Sequence, residues 1–230
     1  MKKHFNLRES MMQRIEPNYK KQKVITRIIH WRSQESTEMI CDLNNINTII
    51  KSEGLDLLVI SYGGCCSNTL VNYLEKNNFK CSTQIWSKIL CHCPQYIECD
   101  IPIIYIYDNP IKSFLSMKNR GKGYWDVNQQ KMSNNMNVVL SDKNLIELMI
   151  NQFNSWTNIK RNNVCVIKSC ELFENNIVDK LENFLKKKIY HFPIPYKNPE
   201  TNIENKSIED TKLFEKYKLE IDRINNFIIQ

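Results

Sequence analysis

Apolar residues fall along this chain in short blocks, and the spacing inside each block predicts its element. Leu57, Leu58, Val59 and Ile60 are consecutive aliphatic residues, as a strand buried on both faces requires. Gly63 and Gly64 follow and permit a tight loop. Ser67 or Asn68 then caps a helix that carries Leu70, Val71 and Leu74 and ends near Asn77 and Asn78. Residues 81 to 90 hold a second short strand. Ile101 to Tyr107 (IPIIYIY) is a clearer strand, closed by Asp108, Asn109 and Pro110, with Pro110 at the first position of a helix continued by Ile111 to Met117. The pattern then lapses: Arg120 to Asp126 (RGKGYWD) reads as a solvated turn and the polar run to about Asn137 as an insertion.

Order returns at Asp142, the expected cap of a helix over Leu145 to Ile159, with Leu145, Leu148, Met149, Phe153 and Trp156 near one stripe. Val164 to Ile167 is a further strand, Leu172 to Leu185 an amphipathic helix, and residues 191 to 199 (HFPIPYKNP) an extended or turning stretch. A last helix is predicted over Asp210 to Ile229, with Leu213, Tyr217, Ile221, Ile224 and Ile228 on one side. Upstream, residues 1 to 22 read as a basic arm, Val24 to Trp31 as a strand and Met39 to Ile50 as weakly patterned. Strands alternating with helices predict an α/β fold with a parallel sheet, as one domain over residues 23 to 230.

The loop between Ile60 and Leu70 carries the candidate chemistry. A strand, a glycine loop and a helix in succession aim backbone N–H groups and the positive end of a helix dipole at one point, which suits phosphate or sulfate. No Gly-Lys-Ser/Thr follows the glycines, so ATPase and kinase activity are not expected.

Composition narrows the partners. The formal charge of +7 is spread over 230 residues, so a solvated surface is its expected use. Nucleic-acid binding through Lys20, Lys21, Lys23, Arg27 and Arg32 is the alternative. No apolar run approaches the ~20 residues of a membrane span, and the N-terminus has no export pattern. Nine cysteines without such a pattern, two of them adjacent, suggest reduced thiols in an intracellular, cytoplasmic protein. No metal site is expected, because the cysteines lack the usual paired spacing. The chain has no alanine and abounds in Asn, Ile and Lys, as in an AT-rich genome such as that of a large DNA virus or a protist.

From about residue 55 to residue 190 the chain resembles the sulfotransferase family, which uses 3′-phosphoadenosine 5′-phosphosulfate (PAPS). SYGGCCSNTL (Ser61 to Leu70) is similar to the family's loop S-Y-P-[KR]-S-G-[ST]-[NT]-W-L, and DNPIKSFLS (Asp108 to Ser116) to its R-N-P-x-D-x-x-x-S segment. LCHCP (Leu90 to Pro94) looks like the family's K-T-H-x-P, which bears its catalytic histidine. Val164 to Leu185, with CELFEN and IVDKLENFL, resembles a Y-E-D-L segment followed by an F-L-G helix.

The resemblance implies a three-layer α/β/α, P-loop-like fold, PAPS as donor, and sulfonate transfer to a hydroxyl or amine acceptor. It implies that Gly63, Gly64, Cys65, Cys66, Ser67, Asn68 and Thr69 hold the donor's 5′-phosphate. His92 would be the base, and Asn109 and Ser116 would lie at the 3′-phosphate. The acceptor pocket would be built from loops such as residues 121 to 140. Several positions depart from the pattern: Gly64 stands where the family has a cation, Cys65 and Cys66 where it has a serine-glycine pair, Thr69 where it has tryptophan, Asp108 where it has arginine, and Ser169 where it has tyrosine. Lys112 falls on the family's aspartate and is expected to pair with Asp108 across one helical turn. A fold that has lost catalysis and serves as a binding or structural module is the alternative reading.

Overall fold

The computed structural model describes residues 46–81, 91–135, 137–158, 160–190 and 208–228. All belong to the unit Glu38–Gln230. The expected arm (residues 1 to 22), the strand Val24 to Trp31, most of the strand expected at 81 to 90 and the stretch 191 to 199 lie outside them.

Three parallel strands form the centre: β1 (Leu58–Ile60), β2 (Ile103–Tyr107) and β3 (Val164–Lys168), in the order β1-β2-β3. The register runs Leu58 to Ile103 and Ile103 to Val164. Every residue of β1 and β2 is buried, which is why their sequences are unbroken apolar runs, whereas β3 alternates buried with half-buried positions. On the far side of β1, Leu57 makes a parallel bridge to Cys81. The chain therefore leaves β1 for one flank, returns to the other at β2, and creates a topological switch point at the strands' C-terminal ends, where α/β proteins hold ligands.

The helices are α1 (Ile46–Glu53), α2 (Ser67–Lys76), α3 (Pro110–Asn119), α4 (Lys122–Ser133), α5 (Asp142–Thr157), α6 (Ile177–Leu185), α7 (Ile208–Lys216) and α8 (Lys218–Asn225). Helix α5 places Trp156 in a stack on Tyr105, with ring centroids 5.8 Å apart, and Phe153 edge-on to Tyr107 at 5.1 Å. Helix α3 meets α7 through Phe114 and Phe214, 5.4 Å apart. Between them Lys118 of α3 bridges Asp142 (2.9 Å) and the buried Asp210 (2.7 Å).

Four expected elements change. Residues 122 to 133 form helix α4, because Asn128, Gln129, Lys131 and Met132 are buried and the segment is held by packing; a polar sequence conceals an inward face. Helix α5 is capped by Ser141, whose hydroxyl accepts from the Asn144 N–H at 3.2 Å, and Asp142 is its first residue. The segment Leu172 to Leu185 divides into a 3-10 turn (Ser169–Phe173) and α6, with Glu171 accepting the Lys168 N–H at 2.8 Å. The terminal helix breaks at Tyr217 into α7 and α8, and Ile228 lies exposed beyond its end.

Among the described residues, no helix is long and apolar enough to cross a membrane, no two cysteines are joined in a disulfide, and no three His, Cys, Asp or Glu side chains gather to hold a metal.

Candidate functional site

The loop after β1 turns because its backbone enters the left-handed region three times, at Gly63 (φ 98°), Gly64 (φ 70°) and Cys66 (φ 59°). A Cβ on Gly63 would stand 2.6 Å from Asn128 Nδ2 and 2.8 Å from Met117 Sδ, and one on Gly64 would stand 2.8 Å from the Ser113 carbonyl oxygen. The loop is thus seated directly on α3 and α4. Cys65 points inward, fully buried, its thiol donating to the Gly63 carbonyl at 3.0 Å and lying 3.4 Å from Ser113 Oγ.

Helix α2 begins without a side-chain cap. Cys66, in the αL conformation, is its N-cap residue, so neither Ser67 nor Asn68 plays that part. The Gly63 N–H donates to Ser61 Oγ and the Thr69 N–H to the Cys66 carbonyl. Between these two, the N–H groups of Gly64, Cys65, Cys66, Ser67 and Asn68 meet no protein acceptor among the described residues. Five successive donors at a helix N-terminus form a nest suited to a phosphate or sulfate group. Residues 64, 66 and 67 are partly exposed and Asn68 is exposed.

The neighbouring strand end is arranged differently from its sequence-based expectation. The Asp108 carboxylate accepts from the Asn109 N–H at 2.6 Å and from the Ser169 hydroxyl. The Asp108 main chain pairs with the Tyr62 hydroxyl, which accepts the Asp108 N–H at 3.1 Å and donates to its carbonyl. Asp108 is therefore a clasp joining the ends of β1, β2 and β3, and Ser169 stands here as its partner. The Asp108–Lys112 pair does not form.

Asn109 Oδ1 caps α3, accepting from Ile111 N (2.8 Å) and Lys112 N (3.3 Å). Ser116 is half-buried on the second turn of that helix. The charge of Asp108 is felt in the loop: burial, with Asp108 second, raises the thiols of Cys65 and Cys66 above the ordinary value, and Arg120 pulls Cys66 the other way. Lys118 is engaged by its two carboxylates and Lys168 by the Asn225 carbonyl at 2.6 Å, and the field of Arg120 reaches Cys66 in the loop.

His92 is buried beside the loop, with Nδ1 2.6 Å from the Ser61 carbonyl and Cε1 3.5 Å from where a Cβ on Gly63 would stand. A carbonyl only accepts, so Nδ1 carries a proton in this contact. The segment that bears His92 is anchored through its main chain. The Ser61 N–H donates to Cys91 O at 2.9 Å, and Gln152 Nε2 and Trp156 Nε1 both donate to Cys93 O, at 2.9 and 3.2 Å.

The structure thus brings Gly63 to Asn68 and His92 together and keeps Asn109 close by as a helix cap. Thr69 donates its N–H inside the helix and is no part of the nest. Sequence reasoning missed Lys131 and Gln152, which approach the 91 to 93 segment from α4 and α5. Gln152 is a lone polar residue on an apolar helix face, and that is the one signal it gave.

The donor named by the resemblance fits this site in part. The nest suits its 5′-phosphate or sulfonate. The strand end supplies a carboxylate where a 3′-phosphate needs a cation. Comparison with family models, with curated proteins and with solved structures returns no match to this chain.

Proposed function

We propose that this protein is a sulfotransferase-like α/β domain of the P-loop-like, three-layer kind that binds a nucleotide-sulfate donor, PAPS, and transfers its sulfonate to a hydroxyl or amine acceptor. The observation that carries this reading is the row of five unpaired backbone N–H groups, Gly64 to Asn68, at the switch point of a parallel sheet with His92 beside it. Bound there, the donor would supply an electrophilic sulfur. The nest would hold its 5′ anionic end without a charged side chain, and the Ser67 hydroxyl would add a donor. His92, oriented by Ser61, would take the acceptor's proton at its second ring nitrogen, the acceptor displacing that nitrogen's contact with Cys91.

A second reading is favoured by Asp108. Its carboxylate raises the electrostatic cost of a dianion near the nest, and the Gly64 position faces the Ser113 backbone, so no side chain there reaches a leaving group. On this reading the domain binds a phosphate or sulfate ester that carries no 3′-phosphate dianion and does no chemistry.

Calorimetry with PAPS, with its product 3′-phosphoadenosine 5′-phosphate and with adenosine 5′-phosphosulfate, followed by a labelled-sulfonate transfer assay, separates the readings. The first expects saturable PAPS binding, and a His92→Asn change that leaves binding intact while lowering turnover by about 10² or more. Binding of adenosine 5′-phosphosulfate alone, without transfer, supports the second. No heat with any of the three overturns both.

A further inference from the structure

A second set of reactive groups lies on the other flank of His92. Cys91 is half-buried, and Lys131 of α4, itself 5 % exposed, extends Nζ to 3.9 Å from Cys91 Sγ. His92 adds a hydrogen bond to the same sulfur, while its Nδ1 is fixed on the Ser61 carbonyl. A lysine almost wholly withdrawn from water is costly unless an anion faces it, and the thiolate of Cys91 is such an anion. Gln152 of α5, which packs against the same segment, is neutral and bonded to carbonyls.

We propose that Cys91 is a covalent modification site, a nucleophilic thiolate set between Lys131 and His92 that is oxidised by hydroperoxides. Sγ attacks one peroxide oxygen, an S–O bond forms, and the O–O bond breaks as sulfur gives up two electrons. The departing hydroxide takes a proton from the Lys131 ammonium and leaves as water, and Cys91 is left as a sulfenic acid.

The electrostatics agree with the geometry. Burial works against ionisation of Cys91, yet the charges of His92 and Lys131 and the His92 hydrogen bond overcome it and bring the thiol down to about 6. Burial lowers Lys131 in turn, and Cys91 opposes that. The exposed Cys170 and the half-buried Cys66 are both raised, with burial the first cause, so the same molecule carries its own controls. At pH 6 about half of Cys91 is ionised against ~0.1 % of a thiol at 9, and after allowing for the weaker nucleophilicity of a low-pKa thiolate the net advantage is about 15- to 30-fold.

The test uses the full chain. Iodoacetamide labelling followed peptide by peptide should show Cys91 reacting about 15- to 30-fold faster than Cys170 at pH 6, with its rate levelling off above neutral pH. Lys131→Met should move that midpoint up by about one unit or more, and Lys131→Arg should restore it. Hydrogen peroxide followed by dimedone should place the sulfenic-acid adduct on Cys91 ahead of the other cysteines. If Lys131→Met does not fold, the wild-type pH profile and the dimedone map still decide. A Cys91 rate that rises only through pH 9, a midpoint unmoved by Lys131→Met, or rapid alkylation without a dimedone adduct overturns the proposal. None of these readouts depends on PAPS, so they succeed or fail separately from the functional reading above.

Discussion

Replacing Gly64 by alanine tests how the anion-binding loop is seated. Two costs act at that residue. Its φ of +70° is a left-handed conformation that a Cβ disfavours, and the new methyl carbon would stand 2.8 Å from Ser113 O and 2.9 Å from Ser113 Cα. Both neighbours are main-chain atoms in the middle of α3, so they cannot swing aside as the tip of a side chain would. The conformational part is about 1 to 2 kcal/mol and the overpacking part about 1 to 3 kcal/mol, for a total of about 2 to 5 kcal/mol.

Gly121 separates the two parts. Its φ is +100°, but a Cβ there meets nothing within 4 Å, so Gly121→Ala carries the conformational cost alone. Urea unfolding of the two variants is the assay, and with a slope of about 2 kcal/mol per molar the Gly64→Ala midpoint should fall by about 1 to 2.5 M. A Gly64→Ala midpoint that falls by well under about 1 M, the conformational cost alone, would refute the seating of the loop on Ser113; Gly121→Ala, whose φ of 100° and ψ of 157° only glycine adopts readily, bounds that cost from above. The same contact implies that Gly64→Lys will not restore a loop cation, since its side chain must first displace α3.

Two further outcomes concern the scaffold. Ser141→Ala removes the cap of α5 and should cost about 1 kcal/mol in urea unfolding, whereas Asp142→Asn should cost less, because Ser141 makes the capping contact. Lys118→Met removes a close cationic partner from the buried Asp210 and should cost about 1 to 2 kcal/mol, after discounting for a lysine that is more than one-third exposed. Burial disfavours the charged form of Lys118, but its bonds to Asp210 and Asp142 outweigh this and raise it above the ordinary 10.5. Its contribution is therefore complete below pH 10.5 and lost as pH climbs through the raised value, so thermal scans should show the gap between wild type and Lys118→Met closing at strongly alkaline pH.

The parts of the fold that were legible in the sequence are those in which burial and composition agree. The strands β1, β2 and β3 are apolar because they are buried, and the glycines of the loop are required by its positive φ values. The polar residues of α4 were misleading, since Asn128, Gln129 and Lys131 face inward, towards Met117 Sδ, the Ser141 N–H and Cys91 Sγ respectively, a choice that periodicity does not record. Asp108 was misleading in another way. Its place in DNPIKSFLS suggested a pair with Lys112 one helical turn on, and only the structure reveals Tyr62, Asn109 and Ser169 closing around it. A clasp between three strand ends is a nonlocal arrangement, and no spacing within one segment encodes it. The break at Tyr217 was hidden because the apolar stripe continues across it; the interruption lies in the backbone and not in the pattern.

The anchoring of residues 91 to 93 has a consequence for how this protein could change. Ser61, Gln152 and Trp156 grip the segment by the carbonyl oxygens of Cys91 and Cys93, atoms that every amino acid possesses. The thiol of Cys91 contributes nothing to that grip. Position 91 is thus a socket mounted independently of its occupant, and a lineage could alter or discard the nucleophile there by paired changes at 91 and 131, the buried lysine giving way together with the thiolate, without rebuilding the fold around it.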